Sequence, residues 1–196
     1  MYTKITPGDT EIKLIDRMVI MDFFEVVRTR QSTRAFTSQP LEPEKRQHLL
    51  DAINRAPSAG NLQAYEIYAV TRRESLDAMV VAARLKTRGQ DYIAQAPIVL
   101  VFCANPARST PRFGSRGETL YCVQDATIAC AYAQLAATAL GLATVWIGSF
   151  DETAVRQAIG VGDDLRPVVI LPVGYAAETP DKSVRRPVAD LVHRVE

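Results

Sequence analysis

Two short segments carry side chains that suit the binding of a nucleotide-like ligand. The first, RQSTRAF at 30–36, sets Arg30, Ser32 and Arg34 at alternate positions. In an extended backbone, alternate side chains share one face, so two guanidiniums and a hydroxyl converge there. Arginine presents planar, charged donors that match phosphate oxygens. The segment therefore predicts a phosphate clamp, although arginines at the C-terminal end of a helix are also common as simple helix-end charges.

The second segment, APSAGNLQ at 56–63, is a helix exit through Pro57 into a turn. It offers backbone donors and the side-chain amides of Asn61 and Gln63, which can pair with a flat heterocycle that carries both donors and acceptors. A phosphate clamp beside such a turn indicates a nucleotide-like cofactor. Ordinary turn chemistry also explains this composition, since Pro, Ser, Gly and Asn are the usual turn residues.

Length and composition predict one domain with a substantial core. The chain has 196 residues, with 23 basic and 22 acidic side chains and a net charge of +1, so the charge balance does not point to nucleic acid. Three cysteines, Cys103, Cys122 and Cys130, lie in apolar runs and are expected to be buried free thiols in a reducing compartment. The first residues have no signal-peptide pattern. We expect an N-terminal extension at 1–21, a single domain at 22–196 and a cytoplasmic protein.

The apolar stretch at 126–148 has the length of a membrane span, but its composition favours the protein interior. Gln134 is its only strongly polar side chain, it is rich in Ala and Thr, and it lacks flanking Lys or Arg. A long buried helix followed by a buried strand is the better interpretation, and no membrane partner is expected.

Helices and strands alternate along the chain. Capping residues and helical spacing predict helices at 22–30, 43–56, 76–83, 119–140 and 151–160. Apolar, β-rich runs predict strands at 66–71, 97–104, 143–147 and 166–175, with Pro172 marking a strand end or a bulge. The segment at 105–118 contains several Pro and Gly residues and is predicted to be a long loop. The polar tail at 176–196 is expected to wrap over another surface.

Four motifs occur in the order and spacing of a known family. RQSTRAF at 30–36, PSAGNLQ at 57–63, GLATVWIGSF at 141–150 and RRP at 185–187 resemble the nitroreductase family over about 22–193. The resemblance implies an α+β fold with a mixed, mainly antiparallel sheet flanked by helices. It also implies a long central helix and a C-terminal tail exchanged in a homodimer. Members use FMN and NAD(P)H in a ping-pong reaction that reduces a small acceptor such as a nitroaromatic or a quinone.

The resemblance assigns roles to the first two motifs. The FMN phosphate, ribityl chain and ring edge would be held by Arg30, Gln31, Ser32 and Arg34. The flavin ring would be lined from the other subunit by Pro57, Ser58, Ala59, Asn61 and Gln63. The sequence departs from the common pattern at Gln31, where a second Arg is frequent, and at Ala64-Tyr65, where Pro-Trp is frequent. The second departure changes the wall of the pocket that would receive the substrate.

The later motifs would complete the site. After Ile147, the backbone N–H groups of Gly148 and Ser149 would meet the reactive flavin nitrogen and its neighbouring carbonyl, where charge develops on reduction. Arg185 and Arg186 would extend the phosphate clamp. The alternatives are a plain strand-to-helix turn and a solvated basic pair. Arginines of the predicted loop would meet NAD(P)H phosphates or an acidic substrate, or be solvated: Arg108, Arg112 and Arg116.

Other chemistries lack a motif. Gly160-Val161-Gly162 has no third glycine and no preceding strand, so it is not a dinucleotide fingerprint. His48 and His193 lie far apart and near no cysteine pair, so no metal site is predicted. Two further classes stay open: a divergent family member, such as a dehalogenase, an enone reductase or a flavin-fragmenting enzyme, and a non-catalytic flavin-binding protein.

Overall fold

The computed structural model describes residues 21–84 and 90–195. Apart from Met21, the predicted N-terminal extension lies outside the described residues.

Six α-helices, one π-helical turn and four strands form most of the described part of the chain. The helices are α1 (Phe23–Thr29), α2 (Pro43–Asn54), α3 (Arg73–Ala82), α4 (Pro106–Arg116), α5 (Cys122–Ala139) and α6 (Glu152–Ile159), and the π-helical turn, Gly117–Tyr121, lies between α4 and α5. The strands are β1 (Tyr65–Val70), β2 (Ile98–Ala104), β3 (Ala143–Thr144) and β4 (Arg166–Gly174). Short 3-10 turns occupy Ala59–Asn61, Asp91–Gln95 and Val188–Asp190.

The strands form one sheet in the order β1-β2-β4-β3, with every strand pair antiparallel. An isolated parallel bridge joins Ser32 to Thr144 at the β3 edge, which makes the sheet mixed, as predicted. All seven residues of β2 are buried, because helices cover both faces of the sheet. On one face, α3 and α6 supply Leu76, Met79 and Val155 to the core. On the other, α2 and α5 supply a second cluster that includes Leu49 and Ile53.

The α5 helix confirms the prediction of a long central helix. Seven of its residues are buried, four of which are alanines, so the backbone lies close to the sheet. Gly141 ends this region in the left-handed conformation at φ 73°, as the sequence predicts. The capping of α6 is also confirmed, because the Asp151 side chain accepts a hydrogen bond from Ala154 N at 3.0 Å and Gly160 adopts φ 74°. Among the described residues, no helix is both long and apolar enough to cross a membrane.

The prediction of a long loop at 105–118 is wrong. Residues Pro106–Arg116 are helical, and the helix begins with Pro106 in its first turn, where proline costs no hydrogen bond. Pro111 and Gly114 obscure the helix in the sequence, and Gly114 interrupts it with φ 56° and ψ −143°. The chain then enters the π turn and continues into α5.

Two details of the predicted strands also differ. Pro172 lies inside β4, paired with Val99, and the irregularity in register falls instead between Phe102 and Cys103 of β2. On its other side, β4 pairs with Thr144 at Val173 and with Ile147 at Ile170, so Pro172 lies where that pairing is interrupted. A proline has no N–H to donate, which is compatible with such a gap. The strand predicted at 143–147 is therefore reduced to Ala143–Thr144 and one bridge at Ile147.

The three cysteines are buried free thiols, as predicted. Burial is the main reason that the pKa values of all three thiols are raised. The pKa of Cys103 is raised to about 12. These thiols therefore stay protonated over the usual pH range and act as small apolar side chains.

Candidate functional site

A cavity of about 860 Å³ lies beside the first motif. Arg30, Gln31, Ser32 and Arg34 line it together, and Arg185 reaches it from the C-terminal tail. The motif is held in place by the edge of the sheet, because Ser32 bridges Thr144 and Thr33 N donates to Thr144 O at 3.0 Å. The backbone at this edge is therefore fixed independently of the side chains that line the cavity.

The cavity has an excess of positive charge. Its lining side chains include five cations and two carboxylates, at Arg28, Arg30, Arg34, Lys182, Arg185, Glu178 and Asp181. The pKa of Arg30 is lowered mainly by burial and, to a smaller extent, by the neighbouring positive charge of Arg185. Among the described residues, neither Arg30 nor Arg185 has a carboxylate within 4.0 Å. Arg30 is half-buried and Arg185 is exposed. Two neighbouring like charges are stabilised when an anion lies between them, so this cavity is suited to an anionic ligand.

The tail forms the opposite wall. It leaves β4 antiparallel to the first motif, with Ala177 N donating to Ala35 O at 2.9 Å. The Glu178 carboxylate accepts the backbone N–H of Arg34. The Gln31 amide, oriented to satisfy both of its polar atoms, donates to Pro180 O at 2.9 Å and Asp181 O at 3.2 Å. The cavity is thus enclosed between the motif and the tail.

The second motif, at 57–63, forms a compact loop that is not among the residues lining this cavity. Gly60, Asn61 and Gln63 have φ values of 56°, 58° and 43°. Ser58 Oγ accepts from Gln63 N at 2.9 Å, and the Gln63 amide donates to Asn61 O and Oδ1 at 2.6 Å each. Three left-handed residues within four positions form a conformation that needs outside support.

Asp125 of α5 supplies that support. Its side chain is 1% exposed, and its carboxylate accepts from Ala59 N at 2.9 Å and from Ala64 N at 3.3 Å. One buried carboxylate therefore holds both ends of the loop. The sequence shows Asp125 only as a charge near the start of an apolar helix, and no local pattern links it to the loop 66 positions away.

Helix α4 supports the loop from outside. Arg108 Nε donates to Leu62 O and Gln63 O at 3.0 Å each, and Arg112 Nη1 donates to Gly60 O at 3.2 Å. A Cβ on Gly60 would lie 2.8 Å from Arg112 Nη1, so glycine permits both the positive φ and the close approach. Two of the three arginines that were expected to meet phosphates or to be solvated, Arg108 and Arg112, thus contact the second motif.

The remaining predicted residues lie in other positions. Ile147 is buried and exchanges two 3.0 Å backbone hydrogen bonds with Ile170, whereas Gly148 and Ser149 are exposed. Among the described residues, neither Gly148 N–H nor Ser149 N–H has an acceptor, so both donors are open to a ligand. Arg186 donates to Asp190 O within the tail and does not line the cavity. Sequence reasoning did not identify Glu178 and Asp181 as cavity residues.

Comparison with known proteins agrees with this architecture. The family model described as "Nitroreductase family" matches residues 27–175. The chain is 29% identical to the oxygen-insensitive NADPH nitroreductase of Salmonella typhimurium, over 86% of this chain and 72% of the relative. It is 27% identical to a Bacillus subtilis enzyme named FMN reductase (NAD(P)H), over 87% of this chain and 73% of the relative.

A solved structure is similar over the same region. A nitroreductase family protein of Clostridium difficile matches with a TM-score of 0.76 and 28% identity, covering 88% of this chain and 98% of the other. The chain belongs to the nitroreductase family. The family and the fold predicted from the four motifs are therefore confirmed.

Proposed function

We propose that this protein is an FMN-dependent oxidoreductase that passes a hydride from NAD(P)H through bound flavin to a small acceptor, such as a nitroaromatic or a quinone, in a ping-pong reaction. The observation that carries the proposal is the cavity in which Arg30 and Arg185 approach each other without a described carboxylate partner. Relatives named as NADPH nitroreductase and FMN reductase support the cofactor and the donor.

The donor set of the cavity fits the phosphate of FMN. Arg30, Arg34 and Arg185 supply charged donors and Ser32 supplies a hydroxyl, while Gln31 joins the motif to the tail through its amide. The volume of about 860 Å³ lies within the range of small-molecule sites. When bound, FMN supplies a ring that takes up a hydride and releases reducing equivalents to a second substrate. This chemistry needs no general acid or base pair from the protein.

The chain's own residues would position and stabilise the cofactor. Asn61 and Gln63 would hydrogen-bond the polar edge of the ring, and Pro57, Ser58 and Ala59 would line it. The open N–H groups of Gly148 and Ser149 would face the atoms where negative charge develops on reduction, as fixed donors that need no reorganisation. Arg186 would join the clamp only if its guanidinium left Asp190 O.

The protein is proposed to act as a homodimer with an exchanged tail and two flavins at the interface. The loop at 57–63 does not line the cavity of its own chain, which supports a site completed by the partner. The tail also exposes apolar side chains that a second surface would cover: Val184, Val188, Leu191, Val192 and Val195. The single domain at 22–196, the extension at 1–21 and a cytoplasmic location are part of the same proposal.

The first experiment tests the cofactor and the donor. The purified protein should be yellow, release FMN on denaturation and bleach when NADH or NADPH is added without oxygen. A colourless protein that cannot be reconstituted with FMN contradicts the proposal. Bound FMN that neither donor bleaches indicates a flavin-binding protein without this activity. An acceptor panel then separates a nitroreductase from a dehalogenase, an enone reductase or a flavin-fragmenting enzyme.

A second experiment tests the shared site. One chain carries Arg30→Ala, and the other carries Asn61→Gly with Gln63→Gly, where glycine accepts the positive φ values. If the two motifs serve one flavin from opposite subunits, a mixed dimer has one intact site and one doubly defective site. Co-expressed chains with different tags should then bind about one FMN per mixed dimer, and each parent should bind much less. No gain in the mixed dimer would show that both motifs act within one chain.

A further inference from the structure

Four side chains beside the loop at 57–63 form a continuous surface outside the cavity that Arg30 lines. The Arg112 guanidinium lies 5.3 Å from the centre of the Phe113 ring, and the Arg116 guanidinium lies 5.3 Å from the centre of the Tyr121 ring. The two rings meet edge to face, with centres 5.1 Å apart and planes at 82°. We call these four residues, Arg112, Phe113, Arg116 and Tyr121, the aromatic–arginine patch.

The fold brings the patch together despite the irregular backbone. Gly114 interrupts α4 and the π turn follows the helix, and Tyr121 at the end of that turn lies against Phe113. Gly117 makes this arrangement possible, because a Cβ there would lie 2.6 Å from the carbonyl oxygen of Ser109. π turns of this kind are frequent at functional sites.

The patch lies directly against the loop proposed to line the flavin. Arg112 donates to Gly60 O at 3.2 Å, and Arg108, one turn earlier on α4, donates to Leu62 O at 2.9 Å. A ligand on the patch would therefore lie next to Gly60 and its neighbours. The position relative to the flavin rests on the proposed function.

The two patch arginines keep most of their donors for a ligand. A guanidinium has five N–H groups, and Arg112 uses one of them on Gly60 O, whereas Arg116 uses one on Tyr121 Oη at 3.2 Å. Both side chains are exposed, and among the described residues neither has a carboxylate within 4.0 Å, Glu118 included. Phe113 and Tyr121 are half-buried, so each presents part of a ring to solvent.

We propose that the aromatic–arginine patch binds the ring of an anionic aromatic ligand and makes the enzyme favour anionic over neutral ligands at this site. A flat ring stacks on aromatic and guanidinium planes, and its negative group pairs with the forked donors. A neutral ring of equal size gains only the stacking.

Two substrates have this chemistry. The phosphate-bearing adenosine end of NADPH is an aromatic ring beside a phosphate that NADH lacks. An acceptor such as a nitrobenzoate is a ring with a carboxylate that the matching amide lacks. Each source has a matched neutral or less charged partner, so the two can be tested separately.

The experiment measures binding to the protein as purified, with its cofactor. Calorimetric titrations compare 4-nitrobenzoate with 4-nitrobenzamide, and NADP⁺ with NAD⁺, at low and high salt. The variants are Arg116→Gln and the double Arg112→Gln/Arg116→Gln, with Arg116→Lys to keep the charge and lose the fork. Arg46→Gln, an exposed position of α2, is the matched control.

In at least one pair, the anionic member should bind the wild type more tightly by about threefold for each arginine it contacts. That preference should weaken at high salt and nearly disappear in the double variant. Arg116→Lys should keep part of it, and Arg46→Gln should keep all of it. A response only in the nucleotide pair identifies the donor phosphate, and a response only in the nitroaromatic pair identifies the acceptor.

Equal affinities within both pairs, or a preference that survives the double variant, would overturn the inference. Because titration needs no turnover, this result is distinct from a failure of the proposed function, which would appear as absent FMN or absent bleaching. If the double variant does not fold, Arg116→Gln and Arg116→Lys still decide the question. Arg116 contacts only Tyr121 among the patch residues and loop, so its loss leaves the loop's hydrogen bonds in place.

Discussion

The two motifs that would serve one flavin are stabilised in opposite ways. In the loop at 57–63, the protein supplies partners for the polar groups: Asp125 holds both ends, and Ser58, Asn61 and Gln63 bond to one another. In the cavity beside Arg30, the guanidiniums of Arg30 and Arg185 lie near each other with no described carboxylate partner. One region is complete without a ligand, and the other is electrostatically incomplete.

In the proposed site, the loop at 57–63 would set the shape and the cavity beside Arg30 would supply the charge. Contacts within the protein offset the conformational strain of the three left-handed residues, so the loop should already be ordered before the flavin ring binds. A cationic cavity is stabilised by the ligand itself, so its side chains contribute to affinity more than to folding. Changes in the loop should therefore reduce stability, and changes in the cavity should reduce cofactor binding.

The largest expected effect is on the loop side. Asp125→Ala removes the acceptor of two backbone N–H groups in a buried position, and each would lose its partner. We expect the free energy of unfolding to fall by about 3 kcal/mol, measured by urea denaturation of the protein without cofactor. The exposed neighbour in Gln124→Ala is the control, with an expected change below about 0.5 kcal/mol. Equal effects of the two substitutions would remove the distinction between the regions.

The next effect is on the cavity side. Arg30→Ala removes a charged donor and also relieves its repulsion with Arg185. FMN should bind about 30-fold more weakly, which corresponds to about 2 kcal/mol for a charge-assisted hydrogen bond. The melting temperature without cofactor should change by less than about 2 °C. Arg28→Ala, where the arginine already pairs with Glu25, should lose less FMN affinity. Parallel losses of FMN affinity and apo stability would make Arg30 a structural residue.

The smallest effect refines the charge of the cavity. The Glu178 carboxylate accepts the Arg34 N–H and lines the same space as the proposed phosphate. Glu178→Gln keeps an oxygen acceptor and removes the negative charge, so FMN should bind about twofold more tightly, measured by fluorescence titration. The gain should vanish at high salt. Weaker binding would mean that the Glu178 charge serves to hold the tail in place rather than to oppose the ligand.

Local patterns in the sequence were sufficient for most of the fold. The continuous apolar run of β2, the helix cap at Asp151 and the left-handed glycines at 141 and 160 depend on neighbouring residues, and the structure agrees with each. Helix α4 was missed because Pro111 and Gly114 lie within it, and local rules penalise both. Contacts with the loop and the π turn stabilise α4, and such tertiary contacts are not visible in a short window of sequence.

The site was harder to predict than the fold. The alternate spacing of Arg30, Ser32 and Arg34 predicted that they share one face, and all three line one cavity. That prediction required only that the backbone of the segment be extended. The contact of Asp125 with Ala59 spans 66 positions, and that of Arg34 with Glu178 spans 144. No single-sequence pattern carries such distances. The carboxylates that line the cavity, Glu178 and Asp181, therefore became visible only in three dimensions.

At the π turn, Gly117–Tyr121, the number of residues decides how α4 is oriented relative to α5. A π turn holds one residue more than the regular helix that would replace it, and each residue of a helix adds about 100° of rotation. Deleting one residue there would turn α4 about the axis of α5 and carry its arginines away from the loop. Relatives that differ by a single insertion or deletion at this point would thus present a different wall to their substrates, with no substitution needed.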